Sequence, residues 1–174
     1  MAEHPISVGL PDRDAYCSVH MRLSIALWHS QAFEAVLACY VTLVLKLPPS
    51  RAEAEVRKTL FKMQSKTLGG LISELRKVNP ANLVSSFEER LKQFLADRNW
   101  LVHSSWREHH GDLFGQNRAL TLIRRLDGIA EQALQLQKHF GQLIDQWTRA
   151  QGTNPQLIEA EFRRILAAHG VIRD

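Results

Sequence analysis

No stretch of this chain alternates apolar and polar residues over a length that would make a strand. Apolar residues recur instead at steps of three and four, the spacing of one helical face. The pattern runs through most of the 174 residues, so the expectation is an all-α fold. That length suits one domain with a core of its own, and no internal repeat or second domain is visible. The expected architecture is an antiparallel bundle of four main helices plus a short C-terminal helix. Residues 1–11 read as an irregular arm, 12–151 as the bundle and 155–170 as the last helix, all within a single domain over 1–174.

Local signals divide the chain. Asp12 is suited to cap a first helix from Arg13, with Asp14 in its first turn, and Pro48-Pro49 stops it after Leu47. His20 and His29 on this helix read as surface or satisfied core histidines. Ser50 and Glu53 form a capping box for a second helix. Its two stripes, Val56-Leu60-Met63 and Thr67 to Val78, are divided by Gly69-Gly70, which is read as a kink or a close approach. A phosphate cradle at that pair needs a preceding strand, and none is visible. After Asn79-Pro80, a third helix runs roughly from Leu83 to Trp106, started by Asn82 or Ser85-Ser86. Asn117 caps a fourth, whose residues Ile123, Leu126, Ala130, Ala133, Phe140, Ile144 and Trp147 step close to a heptad. Gln137 fills a seam position, and Gly152 to Pro155 ends the helix.

Composition narrows the classes. Cys17 and Cys39 are the only cysteines and fall on one long helix, too far apart to bridge. Both read as packing residues in a reducing compartment, and with no export signal at residues 1–10 the expectation is cytoplasmic. The most apolar run, Ala35 to Leu45, is about half of what a membrane span needs, so no membrane association is expected. The net charge is +4, and arginine supplies 15 of the 22 basic residues. This fits a polyanionic partner such as nucleic acid, and equally a solvated surface with a slight excess. His109, His110, Glu108 and Asp112 near His103 match no zinc spacing and read as a solvated loop. No metal and no cofactor are expected.

One stretch stands apart, Arg98-Asn99-Trp100-Leu101-Val102-His103. On a helix, Val84, Phe87, Leu91, Phe94, Leu95, Leu101, Val102 and Trp106 share one broad apolar arc, and Arg98 falls within it. A guanidinium there loses hydration that only a partner or ligand restores. Asn99 and His103 are four apart and neighbour each other on the flank of the arc. A structural explanation pairs Arg98 with a buried carboxylate such as Glu74 or Glu88 and leaves His103 on the surface.

Arg98 to His103 resembles the R-x4-6-H motif of the HEPN (higher eukaryotes and prokaryotes nucleotide-binding) domains. These are all-α bundles that carry the motif on their third helix, often with a polar residue after the arginine, as Asn99 is here. The stretch Thr67 to Leu75 is also similar to some members. By helix order the resemblance covers about residues 12–151, and its specific part is six residues. Arg13…His20, Arg22…His29, Arg163…His169 and Arg164…His169 also satisfy the spacing. The Arg98 match is set apart by its place in the third expected helix, its intrusion into an apolar arc, and its flanking Trp100 and Trp106.

The resemblance implies metal-independent RNA cleavage, in which a 2′-hydroxyl attacks the adjacent phosphorus and leaves a cyclic phosphate and a 5′-hydroxyl. His103 is suited to move a proton near neutrality. Arg98 is suited to hold the phosphate and stabilise the transition state, and Asn99 to orient either. The reaction wants two acid–base groups, and the family meets this by dimerising, so RNA and a second copy are the expected partners. A toxin or defence role, with an antitoxin or regulatory protein, follows from the same resemblance. Members controlled by a nucleotidyltransferase antitoxin carry a tyrosine two residues after the histidine; here Ser105 occupies that place, which puts such control in doubt. Two rivals stand beside this reading. One is a HEPN-like bundle that binds RNA or nucleotide, or scaffolds, without cutting. The other is an unrelated helical adaptor, which predicts that Arg98 is neutralised inside its own monomer.

Overall fold

Arg13 opens the first helix, with Asp14 in the first turn where the helix dipole favours an acid. In the computed structural model, which describes residues 13–46, 48, 52–78, 84–109 and 116–152, this helix is α1, Arg13–Tyr40. It continues into a π-helical stretch, Val41–Lys46, that ends two residues before Pro48. Then come α2 (Glu53–Gln64), α3 (Leu68–Val78), α4 (Val84–His103), α5 (Ser105–His109) and α6 (Gln116–Ala150). There is no strand among the described residues, and the helices pack as an all-α bundle. The N-terminal arm, Ser50 and the helix expected over 155–170 lie outside the described residues.

Two boundaries differ from the sequence reading. The second expected helix is two helices, and the break falls at 65–67 rather than at Gly69-Gly70. Thr67 makes the break: its hydroxyl accepts the Gly70 N–H at 3.3 Å and its carbonyl accepts the Leu71 N–H at 2.9 Å. That is a helix N-cap, and it competes with continuation of α2. The glycine pair therefore sits in the first turn of α3, where a Cβ on Gly69 would meet Leu95 at an ordinary 3.8 Å. The other difference is at Ser104, where α4 gives way to α5, so Trp106 lies on α5. The Arg98 stretch is thus on the fourth helix of the structure rather than the third. Asn117 falls inside α6, one residue after its start. At the far end Gly152, with φ of +70°, ends α6 by donating its N–H to Arg149 O at 3.0 Å.

Packing is organised by α1 and α6. Arg22 pairs with Asp127, and Phe33 touches Phe140, so residue numbers rise together and the two helices run parallel. By contrast α4 runs antiparallel to α6: Phe87 stacks on His139, Arg90 bonds Gln135, and Asp97 approaches Arg125. The shorter α2 and α3 lie against α1 and its π-helical continuation. At the centre Phe33 meets Phe94 edge-on at 5.3 Å and Phe140 at 5.9 Å, and Tyr40 meets Phe140 at 5.1 Å. All four rings are buried, each contributing about 1.5–3 kcal/mol of transfer free energy. Cys39, next to Tyr40 in sequence, is half-buried, and burial pushes its thiol pKa up, as suits a packing residue. Cys17 is exposed and does not pack.

Candidate functional site

On α4 the residues that meet the core follow one stripe, Phe87, Leu91, Phe94 and Leu101. Arg98 sits in that stripe, four residues after Phe94. The Phe33–Phe94 contact fixes the crossing of α1 on α4, and Glu34 is the residue after Phe33. The apolar pair therefore delivers a carboxylate to Arg98. Its Nε donates to Glu34 Oε1 at 2.8 Å, with side-chain exposures of 21% and 19%. Charged hydrogen bonds of this length, shielded from water, are among the stronger ones in proteins. The partner is neither Glu74, which holds three lysines, nor Glu88, which pairs with Arg76 and Lys92.

His103 and Asn99 go elsewhere. At about 100° per residue, His103 lies about 140° around the helix from Arg98. Both His103 and Asn99 are exposed, and neither makes a hydrogen bond or ion pair among the described residues. Within one subunit the structure thus separates the three expected site residues: the guanidinium is turned to α1, and the amide and imidazole lie on the outer face. Val102, about 40° around the helix from Arg98, and Trp106 on α5 are exposed, at 46% and 68%. The apolar face of α4 is therefore packed as far as Leu101 and exposed beyond it. This uncovered end is held in shape by polar contacts. Trp100 Nε1 donates to Glu108 Oε2 at 2.7 Å, which ties α4 to α5. The Arg125 guanidinium lies 3.4 Å from the centre of the Trp100 ring, which ties α4 to α6. Ser105 donates its hydroxyl to Leu101 O at 2.7 Å.

Behind Glu34 lies a cleft of about 230 Å³ between α1, the end of α2 and the start of α3. Gln31, Glu34, Ala35, Gln64, Lys66 and Leu71 line it. Glu34 therefore faces the cleft and carries Arg98. Sequence reasoning missed Glu34 as the arginine's partner. The available signal was a lone carboxylate between Phe33 and Ala35, at the start of the apolar half of α1. His20 is a satisfied histidine, its Nδ1 3.0 Å from Tyr16 O and its ring 4.0 Å from the Tyr16 ring. No described helix is long and apolar enough to cross a membrane. No family model, curated protein or solved structure matches the chain.

Proposed function

We propose that this protein is a HEPN-type endoribonuclease that cleaves RNA by 2′-hydroxyl attack, with a cleft completed by two copies of α4. The observation that carries the reading is the exposed His103 and Asn99 at the end of α4, where Val102 and Trp106 are also exposed. A two-fold partner seated on that face brings a second imidazole to the first, the pair that in-line transesterification needs as base and acid. In this reading the second copy also brings Arg98, which Glu34 holds on the α1 side of its own subunit, within reach of the phosphorane whose charge it offsets. The chemistry needs no metal, in keeping with the resemblance. The biological setting that fits is a cytoplasmic toxin or defence effector under a regulatory partner other than an adenylylating antitoxin, since Ser105 stands where such control needs tyrosine.

The test is purified protein on RNA, with His103→Ala, Asn99→Ala and Arg98→Ala beside it. The reading expects cleavage that leaves cyclic phosphate ends, lost in the His103 and Arg98 variants and weakened about 10-fold or more in the Asn99 variant. Cleavage that is absent in the wild type, or unchanged in the His103 and Arg98 variants, sinks it. A second reading is favoured by one observation, the closure of Arg98 on Glu34 within its own subunit. It is a non-catalytic bundle that scaffolds, in which that pair is structural. It expects no cleavage and a folded dimer or complex regardless of His103.

A further inference from the structure

Two charged groups, Glu34 and Lys66, line the cleft, and their surroundings are not alike. Glu34 and Arg98 pair one to one. Lys66 belongs to a cluster in which three ammonium groups meet a single carboxylate. Lys46 bonds Glu74 Oε2, and Lys66 and Lys77 each lie 3.3 Å from Glu74 Oε1. Glu74 is nearly closed off, with 12% of its side chain exposed, whereas Lys46 and Lys66 keep 27% and 31%. Lys46 comes from the π-helical end of α1, Lys66 from the break before α3, and Lys77 from the last turn of α3. The cluster gathers three cations within reach of one anion, so they repel one another and a net positive charge remains.

Lys66 also lines the cleft. The volume of about 230 Å³ is below the range of roughly 300–1,000 Å³ typical of pockets that enclose a whole drug-sized ligand. It suits one flat group. Gln31 and Gln64 offer amide donors and acceptors on its walls, and Leu71 an apolar surface.

We infer that Lys46 and Lys66 hold a phosphate group, and that the cleft beside them receives the nucleotide to which that phosphate belongs. Glu74 is then a positioning residue: it draws the ammonium groups together and stays ionised. The inference rests on the proposed function for the identity of the polymer, single-stranded RNA; the phosphate site itself needs only the three lysines and the cleft. It places an RNA contact on the cleft that α1, α2 and α3 line, and Arg98 is not among its lining residues.

The experiment is binding by the full chain carrying His103→Ala, so that cleavage plays no part. The probes are inorganic phosphate, a 5′-mononucleotide, its nucleoside and a short single-stranded RNA, with variants Lys46→Gln, Lys66→Gln and the double. Lysine side-chain NMR reports the small ligands, and fluorescence anisotropy across a salt series reports the RNA. Expected are shifts at Lys66 with phosphate and mononucleotide but not nucleoside, and about 10-fold weaker RNA binding in the double variant. Its salt slope should fall by about 0.7, as one phosphate contact on a single strand is lost. Shifts with free phosphate alone, and no change in RNA binding, assign the site to a small anion and overturn the RNA contact. An acidic peptide that binds the lysines better than RNA, or unchanged affinity and slope in the double variant, overturns the inference altogether. Circular dichroism checks folding, and Lys66→Gln alone, in the turn before α3, carries the test if Lys46→Gln does not fold. A wild type that binds RNA through these lysines but never cuts it defeats the nuclease reading and leaves this one standing.

Discussion

Glu34 and Glu74 are both carboxylates largely closed off from solvent, and the fold treats them in opposite ways. Glu34 meets one arginine, and the account closes within the subunit. Glu74 meets three lysines, and positive charge is left over. The first arrangement is what a fold needs to bring Arg98 close to its core. The second leaves a net positive charge around Lys66, which lines the cleft, and an excess of one charge beside a cleft is where a ligand of the other charge is to be sought. The same contrast holds on α4 itself, where the residue shielded by α1 is paired and the residues on the outer face, His103 and Asn99, have no polar partner among the described residues.

The largest effect is expected where the contrast originates. Phe94→Ala removes the ring that sets α1 across α4, and a buried aromatic truncated to alanine costs about 3–5 kcal/mol. Urea denaturation measures it. The Glu34–Arg98 bond should be lost with it, so any activity falls even though Phe94 touches no RNA. Glu34→Ala should cost less, about 1–3 kcal/mol, because it leaves a partly buried guanidinium without its acceptor. A double-mutant cycle with Arg98→Ala sharpens the point: the double variant should lose clearly less than the sum of the singles. Additive losses would mean that the pair is not coupled.

Acid separates the two carboxylates further. Hydrogen bonding to Lys46 above all, with Lys66 and Lys77, holds the Glu74 pKa at about 2, against an ordinary 4.5. The unfolded chain therefore binds this proton first as pH falls. The stability that Glu74 contributes is full above about pH 4.5 and drains away toward pH 2. Thermal unfolding across that window should show the loss, and Glu74→Gln should be less stable at neutral pH while losing the slope. Bound phosphate, if the lysines hold it, should raise the wild-type midpoint.

The smallest effect is at His139, stacked on Phe87 with its Nε2 buried and without a hydrogen-bond partner among the described residues. Burial, then the nearby charge of Arg90, pushes its pKa below the ordinary 6.5. The unfolded chain takes up that proton first, so stability should fall as pH drops below about 6.5. His139→Phe should flatten that part of the profile, and midpoints at pH 7.5 and 5.5 read it.

Much of this could be seen in the order of residues, and the reasons it stops are physical. The start of α1 at Arg13, its end before the prolines and the stripe along α6 follow from caps, breakers and periodicity, which act over a few residues. The break at Thr67 was misplaced onto Gly69-Gly70 because a threonine cap and a glycine kink leave similar local marks. Arg98 was legible as a cation among apolar neighbours, but its partner lies 64 residues away, and only the Phe33–Phe94 contact brings it there. The lysines around Glu74 come from three separate segments, and no local pattern joins them. The apolar arc of α4 runs on past the part that is covered, since periodicity marks which residues share a face but not how far along that face another helix reaches.

The two parts of the motif face different ways in one subunit, and the account holds that a second copy reunites them. Mixing purified wild type with an excess of His103→Ala tests this most directly. The wild type should run as a dimer, the variant alone should leave RNA intact, and the mixture should lose most of the wild-type cleavage as mixed dimers form, since a cleft built from one of each holds one imidazole where the reaction needs two. A wild type that runs as a monomer, with cleavage unchanged by the added variant, contradicts the account.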